Sequence, residues 1–492
     1  MKESDFFDVL IIGGGPAGSC AALRLLALGY HVGLIEQQIF PRHQIGESLS
    51  SGIRNIFEYL EAGHLLAEHS YINALPAQII WENAGEENIE FRQGGDGIMV
   101  DRGKLDADML QLAVLRGMRL FQPARPESFQ KENSCWKVGI RENNLQKELY
   151  ANFILDARGR TSSRISEKII TASSMVALYT NTEGSAMPHC TLVEAQQSGW
   201  LWGSPLPDGK FRMMAFMDPE DLKKENYEQV FLDRIASSLL FAKGVKALDF
   251  SGIKSCSVMN YSHYKPWEDH YIRIGEAAFT LDPLSSTGVE KAMRFSLQAV
   301  IAINTVLKSG HYELARTYYE DQMASSVIRH LVWTAGYYES AWPESVNRFW
   351  NERSKLNIIS DHAERQFCNK LKLKLDEVKK SEKNKITYSG ISDNQDLSEL
   401  WYKKIRISSQ ITQIQTVCVE DDRLHLKNAI SHPLLERELA YMDNIELIPL
   451  LAHLENAHTF GEMIYSWSQK IPFEKASQIG IRLCDLGVVE LS

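Results

Sequence analysis

The sequence predicts an α/β protein: a Rossmann-like dinucleotide-binding domain with an inserted mixed β-sheet substrate domain, a helical segment and a small C-terminal winged-helix-like α+β module. Three observations predict it. An apolar run from Phe7 to Ile12 enters Gly13-Gly14-Gly15-Pro16-Ala17-Gly18, continues as an apolar helix and reaches a second short strand, His31 to Ile35, that ends on Glu36. From about Ser173 to Ser262 the pattern is mostly β, with bulk from Trp200, Trp202, Met213, Met214, Phe216 and Met217. Beyond a lysine-rich stretch, three short helical patterns and a strand close the chain.

The glycine segment takes its meaning from that strand–turn–helix context. Gly13 permits the tight turn, Gly15 lets the backbone approach a pyrophosphate, and Gly18 lets helix and strand pack closely. Pro16 and Ala17 lie in the same turn, where the helix N-terminus offers unpaired N–H groups to an anion. Glu36, 18 residues beyond Gly18, can accept hydrogen bonds from a ribose and disfavours a 2′-phosphate. The nucleotide expected here is FAD or NAD rather than NADP.

With 492 residues the chain is long enough for about three domains, and 44% apolar and 24% charged residues read as globular. A formal charge of −10 argues against a phosphate-tracking surface, so no nucleic-acid partner is expected. The seven cysteines are scattered singly, without a CxxC or Cys/His cluster, which predicts neither a metal site nor a disulfide framework. The first apolar stretch follows an acidic start and ends in glycines, so it reads as a strand rather than a signal peptide. No run of ~20 apolar residues predicts a membrane span. A cytoplasmic protein without a membrane partner is the expectation.

Along the chain, Pro41-Arg42-His43-Gln44-Ile45-Gly46-Glu47-Ser48 is turn-rich and precedes a helical pattern through Ile53, Ile56, Phe57, Leu60 and Leu65. Ala77–Trp81 and Ile89–Phe91 read as strands, and Asp101 to Asp106 opens a helix. Leu149–Leu155 is a strand running into Asp156-Ala157-Arg158-Gly159, Tyr271–Gly275 restores a core strand, and a helical stretch follows from about Gly288 to Leu356. Residues 369–386 read as a solvated helix end and linker, with a docking patch for an acidic partner as the alternative. The last module shows a helix near Ile448–Leu454, a second opened by Thr459-Phe460-Gly461-Glu462, a third opened by Pro472-Phe473-Glu474, and a strand at Val488–Leu491.

The order of these motifs resembles the FAD-dependent aromatic hydroxylases and flavin-dependent halogenases. The resemblance covers about residues 5–355 and rests on the glycine unit, Arg102 before a helix, the Asp156 turn, Gly275-Glu276-Ala277-Ala278 and Asp282-Pro283. It implies FAD, held by a discontinuous FAD-binding domain over 1–75, 95–172 and 265–305. The β-rich substrate domain then takes 76–94 and 173–264, the helical segment 306–365 and the C-terminal module 366–492. By resemblance Arg102 and Asp156 lie near the adenosine and pyrophosphate, and Gly275 and Glu276 near the ribityl chain, although the family usually has aspartate at the latter position. Asp282-Pro283-Leu284-Ser285-Ser286-Thr287-Gly288 lies against the isoalloxazine. A proline-kinked turn opening a helix can there stabilise negative charge on a reduced flavin.

Gly199-Trp200-Leu201-Trp202-Gly203-Ser204-Pro205 is similar to the Trp-x-Trp-x-x-Pro signature of the halogenases, with Ser204 where isoleucine is usual. Two tryptophans at period two also read as one buried strand face. In the halogenases a lysine shortly before the first substrate-domain strand relays the hypohalous species. Here no lysine occurs between Lys2 and Lys104, and Pro76 stands at the matching position. Oxygen insertion through a flavin C4a-hydroperoxide is therefore preferred to halogen transfer.

Within the superfamily, Gly46-Glu47-Ser48-Leu49-Ser50, Trp202 to Gly209 and Asp282 to Ala292 look most like the flavoproteins that mature tryptophylquinone cofactors. The C-terminal module is similar to the one carried by quinohemoprotein amine dehydrogenase maturases. That resemblance implies an FAD-dependent monooxygenase hydroxylating a tryptophan in a partner polypeptide, with O2 and with electrons from NAD(P)H or a separate flavin reductase. Candidate catalytic residues are Glu47, Trp202 and Pro283, with Glu47, His43 or Glu290 as proton acceptor from the ring. A halogenase of an indole, pyrrole or phenol and a non-catalytic flavoprotein assembly factor stay open as alternatives.

Overall fold

The computed structural model describes residues 5–491 apart from 68–70, 83, 85–87, 96, 223–225, 248–251, 343–346, 359–365, 388–396, 436, 453 and 455–457. The chain divides into two compact units, one of residues 1–303 and 319–371, the other of 304–318 and 372–492.

The first unit is built on a parallel sheet. Strand β1 (Phe6–Ile12) runs beside β2 (Val32–Ile35) on one side and Leu145–Asp156 on the other. Arg119–Phe121 extends the sheet beyond β2, and Tyr271–Arg273 extends it beyond Leu145–Asp156, all in parallel. Helix α1 (Pro16–Ala27) joins β1 to β2, as the Rossmann pattern requires. Val9, Leu10 and Ile11 are wholly buried, consistent with a parallel sheet covered on both faces. Helix α2 (Arg102–Leu115) begins at an Asp101 cap whose carboxylate accepts the Lys104 N–H at 3.1 Å.

The inserted sheet is mixed, as expected. Its strand order is Lys254–Val258, β3 (Met175–Glu183), β5 (Lys210–Met217), β4 (Gly199–Pro205), Thr191–Gln196, Ala77–Ile80 and Glu90–Arg92. Only Thr191–Gln196 and Ala77–Ile80 pair in parallel. One feature differs from the β reading: Tyr227–Ala236 is a helix, capped by the Asn226 side chain on Glu228 N–H and burying Val230, Phe231 and Ile235. This apolar spacing fits a helix face and not an alternating strand.

The helical stretch resolves into α3 (Gly288–Ser309), α4 (Tyr312–Ala341) and α5 (Arg348–Arg353), with Gly310 at φ +71 between the first two. A further helix, Gln366–Thr387, carries the lysine-rich segment. Its start is less solvated than expected: Phe367, Cys368 and Leu371 are buried, and Lys370 pairs with Asp321 at 2.9 Å and Glu320 at 3.2 Å.

In the second unit the three C-terminal helices occupy Leu447–Leu451, Phe460–Ser468 and Phe473–Asp485, and the strand Val489–Leu491 pairs with Ile405–Ile407. Thr459 and Glu462 form a reciprocal capping box, which explains why that helix starts where the sequence places it. Its core gathers Leu447, Phe460, Met463, Ile464, Trp467, Ile479 and Leu483, with Trp467 Nε1 donating to Leu450 C=O at 2.9 Å. The sequence reading did not anticipate the hairpin Thr412–Glu420/Arg423–Ser431, turned at Asp421 and Asp422, both at positive φ.

Candidate functional site

The C-terminal ends of the parallel strands carry or lead into Gly13, Glu36, Asp156 and Gly275. Gly13 sits at φ +108, where an added Cβ would lie 2.5 Å from Ala157 C=O, and a Cβ on Gly18 would lie 1.9 Å from Gly13 C=O. Both glycines are demanded by the protein's own packing. Gly15 is not: a Cβ there would meet only Arg42 Nη2, at 3.5 Å. The start of α1 at Gly15 is thus bordered by the Arg42 guanidinium and not by packed backbone, which is compatible with an anion cradle. Pro16 and Ala17 form the first turn of α1 there.

Glu36, at the end of β2, is buried, with one carboxylate oxygen accepting Gly14 N–H and the other Gln38 N–H, both at 2.7 Å. Arg42 adds a cation that the sequence reading passed over as part of a turn. It lies over the Phe40 ring and donates to Gln44 at 2.7 Å, while its buried Nε has no partner. An arginine next to an open glycine turn is a phosphate-type donor set.

Two more of the predicted residues, like Glu36, are held by the protein's own groups. Arg102 grips Asp106 with two nitrogens, at 3.0 and 3.1 Å, and donates its third to Ile45 and Gly46 C=O, so it pins the 45–46 loop. Asp156 is fully buried and accepts from Arg158 and the Tyr271 hydroxyl, each at 2.8 Å. Glu276 is half-exposed, 3.6 Å from Arg160. Gly275, at φ +58, lets α1 approach, since its Cβ would fall 2.8 Å from that of Ala17.

The turn Asp282 to Thr287 opens α3. Asp282 caps it by accepting Leu284 N–H at 3.1 Å, Pro283 occupies the first position, and Ser286 stands at φ 52. Thr287 shares a hydrogen bond with Ser285 at 2.8 Å, and around Gly288 an added Cβ would meet nothing within 4 Å. The backbone at the start of α3 is therefore not crowded by the chain. Glu290, one turn on, is bound by Ser50 Oγ and by Arg294 at 2.6 Å. Burial would raise its pKa, but these hydrogen bonds outweigh it and hold it below the ordinary carboxylate range.

Pairing in the inserted sheet places one face in three rows. Trp200, Phe216 and Ala177 lie side by side, then Trp202, Met214 and Tyr179, then Ser204, Arg212 and Asn181. The first row is buried. Trp200 stacks on Phe216 at 3.8 Å between ring centroids, and Trp81, Tyr338 and Trp350 close over it. In the last row Arg212 and Ser204 are buried, Arg212 pairing with Glu47 at 2.8 Å and with Asn181 at 2.6 Å. Only the middle row, Trp202, Met214 and Tyr179 with Val193 beside them, stays half-buried throughout. Leu284, from the turn that opens α3, packs against the same cluster as Trp202 and Met214.

Leu284, the neighbour of Pro283, thus packs against the same cluster as Trp202, and Glu47 is held in an ion pair with Arg212. His43 is exposed on its loop. Among the described residues no cluster of His, Cys, Asp or Glu could hold a metal ion, and no helix is long and apolar enough to cross a membrane.

Comparison with known proteins agrees with this layout. The model of the FAD binding domain family matches residues 7–332. A tryptophan 2-halogenase of Chondromyces crocatus is 26% identical over 363 residues, covering 69% of each chain. Two solved structures share the fold over nearly the whole length. The peptidyl tryptophan dihydroxylase QhpG, essential for tryptophylquinone cofactor biogenesis, has a TM-score of 0.70 and 19% identity over 98% of this chain and 99% of its own. The flavin-dependent halogenase CmlS has a TM-score of 0.74 and 19% identity over 99% and 96%.

Proposed function

This chain belongs to the FAD binding domain family and is an FAD-dependent oxidoreductase, and from that premise we propose that it is a monooxygenase hydroxylating a tryptophan of a partner polypeptide during tryptophylquinone biogenesis. The observation that carries the choice of reaction is Pro76. It is the exposed residue immediately before Ala77–Ile80, the first strand of the inserted sheet, within a stretch that has no lysine from Lys2 to Lys104. The Pro76 nitrogen is a tertiary amide locked in a ring and offers no amine to relay a halogen.

The residues present fit FAD. The N-terminus of α1, Gly15 and Arg42 would hold the pyrophosphate, Glu36 the ribose, and the open backbone at Thr287–Gly288 the isoalloxazine end. When bound and reduced, FAD supplies oxygen activation. The chain's part is to orient and to exclude water. Trp202, Met214 and Val193 pack against the same cluster as Leu284 of the Pro283 turn, so an indole ring lying on them would be desolvated and held near the flavin. Electrons come from NAD(P)H or a separate flavin reductase, in a cytoplasmic setting.

The halogenase reading is favoured by the match to a tryptophan 2-halogenase over two thirds of the chain. The test is turnover of a tryptophan-bearing polypeptide and of free tryptophan by the reduced holoprotein in air, with and without chloride or bromide. Oxygen added to the polypeptide, independent of halide, supports the proposal. Halogenated product overturns it in favour of the second reading, and no product with either substrate leaves the assembly-factor reading.

A further inference from the structure

The turn at Asp282 is gripped twice by one helix. The Tyr338 hydroxyl lies 3.0 Å from both carboxylate oxygens of Asp282, and His330 Nε2 lies 3.3 Å from the Asp282 carbonyl oxygen. Both come from α4, eight residues or about two turns apart, and converge on a single residue. We propose that Tyr338 and His330 are positioning residues, holding the Asp282-Pro283 turn so that the start of α3 meets the flavin in one fixed geometry. This rests on the reading that the turn faces FAD, and deepens it by naming what holds the turn in place.

A simpler role for Tyr338 would be as a ring in the aromatic floor, where it contacts Trp81, Phe349 and Trp350. Phenylalanine would serve that purpose equally. The hydroxyl is what needs explaining, because it sits in a wholly buried aromatic environment and has Asp282 as its hydrogen-bond acceptor, with Met175 Sδ farther off at 3.7 Å. Asp282 is 5% exposed and takes Tyr338, Leu284 N–H and, at 3.2 Å, Asn260 Nδ2. Burying a carboxylate is costly unless its oxygens are filled by donors. Burial raises the Asp282 pKa, and the Leu284, Tyr338 and Asn260 hydrogen bonds oppose that rise.

His330 completes the grip on the main chain. Burial holds its pKa down to about 4, so the ring is neutral at pH 7 and, protonated on Nε2, donates to the carbonyl. The carbonyl before Pro283 and the carboxylate that caps the turn are thereby both fixed from outside the loop. Such support from a neighbouring element is what keeps a cofactor-facing loop within a fraction of an ångström of one geometry.

The test uses the full-chain holoprotein with Tyr338→Phe, and Tyr319→Phe as control. Tyr319 is buried on the same helix and donates to Arg273 C=O at 2.6 Å, away from Asp282. Three readouts are compared: thermal stability, FAD affinity by titration of the apoprotein, and the visible spectrum of bound FAD. Both variants should lower the melting temperature to a similar extent. Only Tyr338→Phe should weaken FAD about tenfold and shift or broaden the flavin band.

His330→Leu should act in the same sense, about threefold, and His330→Gln, which keeps a donor, should restore affinity. Wild-type FAD affinity and spectrum in Tyr338→Phe overturn the proposal, as does an equal change in Tyr319→Phe. If Tyr338→Phe does not fold, the His330 pair decides: loss in His330→Leu with recovery in His330→Gln supports the grip, and no difference between them refutes it. None of these readouts needs a tryptophan substrate. Absence of hydroxylation would therefore remove the proposed reaction while leaving these outcomes to be judged on their own.

Discussion

Replacing Gly15 with alanine separates ligand space from folding. At Gly15 φ is −71 and ψ −175, a conformation alanine adopts without strain, and its Cβ would have only the tip of Arg42 within 4 Å. Loss of glycine at the helix cap costs roughly 0.5–1 kcal/mol, while reduced freedom of the unfolded chain returns about 0.4–1 kcal/mol. Apoprotein stability should therefore change by less than about 1 kcal/mol, a shift of a few degrees at most in a chain of this size. A methyl group pressed into a pyrophosphate seat carries an overpacking cost of about 1–3 kcal/mol, or roughly 5- to 150-fold in the FAD dissociation constant. Thermal unfolding of the apoprotein and flavin fluorescence titration measure the two quantities. Gly18→Ala is the contrast, because its Cβ would fall 1.9 Å from a backbone oxygen and the variant should fail to fold. Wild-type FAD affinity in Gly15→Ala would mean that the pyrophosphate does not sit against Gly15.

Further outcomes follow from the same geometry. Glu47→Gln strands a buried arginine and should destabilise by about 3–5 kcal/mol in urea unfolding, whereas Glu47→Gln with Arg212→Met should recover much of the loss. His330 titrates at about 4 when folded against about 6.5 when unfolded, so the unfolded chain takes up the extra proton first as pH falls. Stability should thus be lost progressively from about pH 6.5 down to about pH 4, by at most about 3 kcal/mol, and His330→Gln should lack that part of the acid loss. Thr459→Ala removes a capping box and should cost about 1 kcal/mol in thermal unfolding of the second unit without altering FAD affinity.

The sequence made local devices readable and left distant ones hidden. Gly13 and Gly18 could be read because each solves a backbone problem within a few residues, and Thr459 with Glu462 because a cap announces its own helix. The two tryptophans of β4 showed the limit of a period-two pattern. It placed Trp200 and Trp202 on one face but could not tell that Trp200 is sealed under Trp81 and Tyr338 while Trp202 lies in the half-open row. That distinction runs across strands and is set by what covers each row.

Glu47 reads alike as a base or as half of an ion pair until Arg212, far along the chain, is placed beside it. Tyr338 and His330 carried no signal, since their bonds to Asp282 span 56 and 48 residues. Arg42 was hidden inside a turn-rich segment, although a cation shortly after an acidic strand end could have drawn attention to a phosphate site.

Isotope labelling tests the proposed hydroxylation most directly. The reduced holoprotein is supplied with a tryptophan-bearing polypeptide under 18O2 in halide-free buffer, and the product is mapped by tandem mass spectrometry. Heavy oxygen on the indole ring of a tryptophan residue is the expected result. Ring oxygen drawn from solvent water, or reduction of O2 entirely to hydrogen peroxide with the polypeptide unchanged, would contradict it.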